Sequence, residues 1–217
     1  MRPMKLYTYF RSSAAYRVRI ALHLKGLAFE SVPVHLLRDG GQQHAAGYAA
    51  INPNETVPTL DDDGQILNQS LAIIEYLDET HPSPPLLPGS AADRARIRAI
   101  AQTIACDIHP INNLRVLQQL TLTFDLSEAQ KAAWYCHWVE RGLQAVEKML
   151  SDDPRTGRFC HGDTPTLAEC CLVPQVFNAR RFGCSLAGLT TVERICAECE
   201  ELDAFARAAP ARQPDAE

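Results

Sequence analysis

The sequence predicts an α/β N-terminal domain followed by an all-α C-terminal domain, and three observations carry that reading. Short β-branched and aromatic runs alternate with helical segments up to about residue 83. A proline-rich stretch, HPSPPLLPG (81–89), then interrupts the chain, and beyond it helix-start signals recur in order.

Taken in order, KLYTYF (5–10) reads as a strand and FESVPVH (29–35) as a second. The segment between them, 13–25, contains YRVRI, which alternates like a strand, but Lys25-Gly26 is a helix-end signal. A helix crossing between two parallel strands makes a right-handed βαβ unit. TVPTL (56–60), the turn Asp61-Asp62-Asp63-Gly64 and QIL (65–67) form an antiparallel hairpin, and a helix over 69–80 closes the unit. Strand, helix, strand, hairpin and helix, with Val57-Pro58 before the third strand, is the order of a thioredoxin-like domain. It is expected over 1–83, with a semi-rigid linker over 84–90.

The helical domain is expected over 91–217. Four starts match a capping box: Ser90 with Asp93, Ser127 with Gln130, Thr166 with Glu169, and Thr190 with Glu193. Ile97, Ile100, Ala101, Ile104, Ala105, Ile108 and Ile111 make one apolar stripe; Trp134, Trp138, Ala145, Val146, Met149 and Leu150 make the next. Both read as core, and the tail from Ala209 as irregular.

Composition excludes several functions. A chain of 217 residues, 46% apolar, builds a core without staples. Net charge is −5 with arginine and lysine scattered, which disfavours nucleic acid, and no apolar run approaches the roughly 20 residues that span a bilayer. The eight cysteines, from Cys106 onward, lack the spread of a disulfide framework, and no signal peptide is read, so the expected setting is reducing and cytoplasmic. Cys196 and Cys199 form a CxxC on a predicted helix with no second pair, and no metal is expected.

Three local signals carry chemistry. Ser12 and Ser13 stand where a strand meets a helix; they read as a cap, or as hydroxyls beside free N–H groups that stabilise a thiolate. Pro58 reads as an edge-strand proline, or as a cis residue that leaves the Val57 N–H and carbonyl open to an extended peptide. Asn68-Gln69-Ser70 reads as a plain cap or as a carboxylate site. A thiol, a peptide backbone and a carboxylate together are the inventory of glutathione.

YFRSSAAYRVRIALHLKG, DGGQQ, NPNETVPTL, NQSLAIIEYLDE, CDIHPINNLRVLQQL, GDTPTLAECCLVPQVFNARRF and the ending RQPD resemble the zeta-class glutathione transferases along nearly the whole chain. The resemblance implies the glutathione transferase fold, glutathione as cofactor, a small dicarboxylate substrate and a homodimer. It implies glutathione-dependent cis-trans isomerisation of maleylacetoacetate; the alternatives are the same chemistry on maleylpyruvate, or transfer to small α-halo acids. By the same resemblance Ser12 addresses the glutathione sulfur with Ser13 beside it, Val57 supplies the backbone pair, and Gln69 and Ser70 hold the γ-glutamyl carboxylate. Gln43 meets the glycyl end, and His109 reaches glutathione from the helical domain. Arg11 and Arg181 face the substrate, with Arg180 as a solvent-facing neighbour. One departure stands out: Ala14 replaces the family's cysteine in SerSerCys, so sulfur activation is expected to fall on Ser12 and the adjoining helix end.

Overall fold

The computed structural model describes residues 3–217. Its contacts divide the chain into two units: the described residues up to Leu86 together with Glu200–Glu217, and Leu87–Cys199.

The first unit is built on a four-stranded sheet in the order β2-β1-β3-β4. Strand β1 (Met4–Thr8) runs parallel to β2 (Phe29–Pro33) and antiparallel to β3 (Thr59–Asp62), which pairs with β4 (Gln65–Asn68). The hairpin turns on Asp63 and Gly64, at φ 51° and 94°, the left-handed pair that matches strand twist. Helix α1 (Ser13–Leu24) connects β1 to β2 and ends where Gly26, at φ 65°, lets the Leu27 N–H reach the Leu22 carbonyl at 2.9 Å. The short helix α2 (Ala46–Ala49) follows β2, and α3 (Ser70–Thr80) follows β4. Leu6, Ile20, Leu22, Leu60, Ile73, Ile74 and Leu77 are fully buried and form the core between sheet and helices. The buried Lys25 ammonium ties the end of α1 to the end of α3, donating to Asp78 Oδ1 (2.8 Å) and to the His81 and Pro84 carbonyls (2.7 and 2.9 Å).

The end of the chain departs from expectation. Residues 91–217 were expected to form the helical domain, but Glu200–Glu217 joins the first unit. Helix α10 (Asp203–Ala208) packs on α1, Pro210–Arg212 forms one tight turn, and the Phe10 N–H donates to Asp215 Oδ2 at 2.9 Å. That contact spans nearly the whole chain, so no local pattern announces it.

The second unit is helical. Helix α4 (Ala91–Gln102) runs into a wider π turn, Thr103–Ile108, then α5 (His109–Ile111), α6 (Leu114–Phe124), α7 (Glu128–Ser151), α8 (Leu167–Arg181) and α9 (Thr190–Glu200), whose last residue is counted with the first unit. The capping boxes at Ser90, Ser127 and Thr166 form. At α9 the Glu147 carboxylate of α7 instead accepts from the Thr191 and Val192 N–H groups at 2.9 and 2.8 Å. A charged acceptor from a neighbouring helix thus satisfies two open N–H groups at this helix start.

The stripe on α4 is largely core, with Ile97, Ile100, Ala101, Ile104 and Ile108 buried. On α7 the buried stripe is Tyr135, Val139, Leu143, Val146 and Leu150; Trp134 and Trp138 are half-buried and Ala145 is exposed. Gly142 sits on this helix because a Cβ there would meet the Ile108 side chain at 2.3 Å. Cys136 and Cys184 form a disulfide, Cα atoms 4.9 Å apart, a pairing that their spacing does not reveal. Cys196 and Cys199 are buried on α9, and among the described residues no helix is long and apolar enough to cross a membrane.

Helix α1 also carries a pH-sensitive group. His23 packs on the Phe29 ring, and burial, reinforced by Arg207, lowers its pKa from 6.5 to about 4. The folded state then binds fewer protons than the unfolded state between those values, so this contribution is complete above pH 6.5 and is lost as pH falls towards 4. The melting temperature is expected to drop between pH 7 and pH 5, and less steeply in His23→Gln; parallel slopes in thermal melts would contradict this.

Candidate functional site

Two groups of candidate residues emerge, one in each unit. In the first unit, β1 ends at Thr8 and the chain turns through Tyr9–Ser12 before α1 begins. Ser12 is the N-cap: extended in backbone, it accepts the Ala15 N–H on its Oγ at 3.2 Å. The cap reading is therefore realised, and it does not compete with the chemical one. Capping uses a lone pair of the hydroxyl, whose own hydrogen stays available to a further acceptor. Ser12 is half-buried and Ser13 buried. The first turn of α1 holds no acidic side chain, so the partial positive charge of its N-terminus is not neutralised locally. Arg11 is exposed, its guanidinium carbon 4.7 Å from the Phe10 ring centroid.

The Val57-Pro58 bond is cis. Among the described residues neither the N–H nor the carbonyl of Val57 takes a backbone partner, whereas pairing to β1 begins at Thr59. The segment is braced from below: the Tyr48 hydroxyl donates to the Thr56 carbonyl (2.6 Å), and Asn52 Nδ2 donates to the same carbonyl (2.8 Å) and to Thr59 Oγ1 (3.0 Å). Tyr9, Phe10, Val34, Tyr48 and Val57 form one buried cluster with Leu36 against it, which draws the 9–12 turn, the loop after β2 and the Val57 segment together.

Gln69 opens α3 at φ 67°, a left-handed conformation unusual for glutamine, and makes no capping bond through its exposed side chain. The plain-cap reading is not realised there, and a non-glycine residue held in this region marks a functional candidate. Ser70 is buried and accepts Arg17 Nη1 on its Oγ at 3.2 Å. Arg17, 2% exposed, thus brings a guanidinium to the predicted carboxylate site. Gln43 is buried; its Nε2 lies 3.5 Å from the Leu36 carbonyl and 2.9 Å from His44 Nε2, and its Oε1 has no hydrogen-bond partner among the described residues.

In the second unit, His109 follows the π turn directly, and its Nε2 lies 3.4 Å from Asn113 Nδ2. Pro110 predicted distortion here. Its ring crowds the preceding turn and it has no N–H to return, so the helix widens just before it. Trp134 Nε1 donates to the Ile111 carbonyl at 3.0 Å and anchors the segment to α7. Arg181 is the last residue of α8, which closes on Gly183 at φ 70° with the Cys184 N–H bonded to the Ala179 carbonyl. Its guanidinium carbon lies 4.6 Å from the Phe182 ring centroid; Phe182 stacks on Tyr135 at 3.8 Å, whose pKa burial pushes up to about 12. Arg180 and Arg181 are both exposed.

Sequence reasoning passed over Arg17, Arg19, Tyr48, Asn52 and Asp215. A signal for the arginines was present: YRVRIAL places two cations in a helix that is apolar all round, and a buried arginine must find acceptors.

Residues 6–85 match the glutathione S-transferase N-terminal domain family. Over 216 residues the chain is 50% identical to a probable maleylacetoacetate isomerase of Vibrio cholerae, covering 100% of both chains. It is similar to a holo maleylpyruvate isomerase, described as a bacterial glutathione S-transferase of the zeta class, with a TM-score of 0.96, 49% identity and coverage of 98% of this chain and 100% of that one. A maleylacetoacetate isomerase of Methylobacterium extorquens, with malonate and glutathione bound, aligns with a TM-score of 0.94 at 45% identity over 98% of this chain and 99% of that one.

Proposed function

The chain belongs to the zeta-class glutathione transferases, and from that premise we propose that it is a glutathione-dependent maleylacetoacetate isomerase acting through Ser12. The observation that carries the role of Ser12 is its hydroxyl, which caps α1 through a lone pair while its hydrogen meets no acceptor among the described residues.

The residues fit glutathione. The open N-terminus of α1 suits a thiolate, the unpaired Val57 backbone suits a peptide, and the α3 N-terminus, with Gln69, Ser70 and the Arg17 guanidinium, suits the γ-glutamyl carboxylate. The unpartnered Gln43 Oε1 suits an N–H at the glycyl end, and the role of His109 rests on the family resemblance alone. When bound, glutathione supplies a thiolate that adds reversibly to the conjugated double bond, so that the bond turns as a single bond.

Ser12 holds that sulfur ionised by donating to it, beside the α1 N–H groups. Arg11 and Arg181 take the substrate carboxylates; each guanidinium offers a planar pair of donors and supplies local positive charge in a chain of net charge −5. Arg11→Ala is expected to raise KM for the diacid about tenfold and to lower turnover while glutathione affinity holds, since a charge-assisted hydrogen bond contributes about 1.5–3 kcal/mol. Equal loss of both affinities in steady-state kinetics would contradict that role.

The experiment that tests the substrate is an absorbance assay with glutathione and each cis diacid side by side. Maleylacetoacetate is expected to be the better substrate; preference for maleylpyruvate would move the protein to the second reading, whose relative is 49% identical beside 50% for the maleylacetoacetate isomerase. We further infer a cytoplasmic homodimer. A compartment rich in reduced glutathione fits a chain in which six of the eight cysteines stay thiols beside the one Cys136–Cys184 bridge, and light scattering checks the dimer.

A further inference from the structure

We propose that Asp215, in the C-terminal segment, is a positioning residue for the thiol site, fixing the Tyr9–Ser12 turn from outside while Arg19 fixes it from within. The inference rests on the reading of Ser12 as the group that meets the sulfur.

Both polar groups of the Phe10 main chain are held. Its N–H donates to Asp215 Oδ2 at 2.9 Å, and its carbonyl accepts Arg19 Nη2 at 3.0 Å. The Tyr9 carbonyl is shared between the Ser12 N–H at 3.0 Å and Arg19 Nη1 at 3.4 Å. Arg19 Nη1 also reaches Thr8 Oγ1, and Nε reaches the Ala208 carbonyl, both at 3.0 Å. The guanidinium is 0% exposed, all these acceptors are uncharged, and Asp215 is the carboxylate whose charge acts on it. The second carboxylate oxygen of Asp215, Oδ1, is buried without a hydrogen-bond partner among the described residues. A carboxylate accepts that cost where its charge and its remaining bond have a use.

Glu217, two residues on, meets His35 and Arg38 on the loop that leads to Gln43. That pair is substantially exposed and contributes little, so the bond from Phe10 to Asp215 is the contact that matters. Arg11 and Ser12 follow Phe10 directly, so a tilt of the Phe10 peptide displaces the Ser12 hydroxyl. A displacement near 1 Å at a reacting group costs roughly a hundredfold in rate.

The test compares wild type, Asp215→Ala, Asp215→Asn and Asp215→Glu, reading kcat, both KM values, thermal melting, and the pH at which bound glutathione becomes thiolate, followed by ultraviolet absorbance. Removing a nearby negative charge would by itself move the thiolate midpoint down; loss of positioning moves it up, towards a free thiol. Asp215→Ala is expected to move the midpoint up and lower kcat about thirtyfold. Asp215→Asn, which keeps a neutral acceptor for the Phe10 N–H, is expected to lose about threefold and to decide the matter if the alanine variant does not fold. Asp215→Glu is expected to restore part of the rate. A lower melting temperature with kcat, KM and midpoint unchanged in either variant, or a midpoint that falls in Asp215→Ala, would overturn the proposal. Absence of a thiolate signal in wild type would instead overturn the reading of Ser12 on which it stands.

Discussion

Ser12→Ala is expected to stay folded and to lose about a hundredfold in kcat/KM with glutathione and the cis diacid, because a hydrogen bond to a charged group is worth about 1.5–3 kcal/mol. The same change removes the bond from the Ala15 N–H, and loss of an N-cap costs about 1 kcal/mol, or a few degrees of melting temperature in a chain of this size. The two effects separate. A cap-only serine gives the few degrees and an unchanged rate, whereas a thiolate donor gives both. Ala14 sharpens the expectation, since the side chain two residues on offers no sulfur to take over. The residual rate then reports what the free N–H groups of α1 and the Ser13 hydroxyl supply without Ser12.

Arg19→Met is expected to have the largest effect on stability, about 4 kcal/mol, since each buried acceptor left without its donor costs about 1–3 kcal/mol. The substitution keeps most of the side-chain volume but strips donors from the Phe10 and Ala208 carbonyls, from the Thr8 hydroxyl and from one side of the Tyr9 carbonyl. It also leaves Asp215 beside them without its countercharge, which adds to the cost. The melting temperature should fall by roughly 10 °C, a large part of the margin of an ordinary domain. Arg19→Lys is expected to recover less than half of the loss, because one ammonium on a flexible stem cannot reach acceptors spread across a planar fork. A fall of a degree or two in Arg19→Met would show that water or a shifted backbone satisfies those carbonyls.

What the sequence made legible was what repeats or punctuates locally. The strands alternate, Lys25-Gly26 stops α1, Asp63-Gly64 turns the hairpin, and three capping boxes mark three helix starts. Pro110 announced a distortion, although not that it would be a π turn. Contacts made across long separations stayed hidden. Glu147 caps α9 from another helix, Cys136 meets Cys184, and Asp215 reaches Phe10. On α7 the bulk of Trp134 and Trp138 suggested core, but helix phase turns Tyr135 and Val139 inward instead. Of the site, Ser12 and the cis Val57-Pro58 were visible as local anomalies. The supports Tyr48 and Asn52 were hidden because a buried polar group is recognised by its partners, which only the fold supplies; Arg17 and Arg19 showed as cations in an apolar helix, but not what they hold.

The activity itself has a property that separates it from ordinary transfer to glutathione: the sulfur leaves again. The most direct measurement therefore supplies maleylacetoacetate in large excess over glutathione and follows both the trans product and the free thiol. Complete conversion with the thiol titre unchanged is the predicted result. Conversion that stops after one equivalent of glutathione, with the thiol consumed, would contradict it.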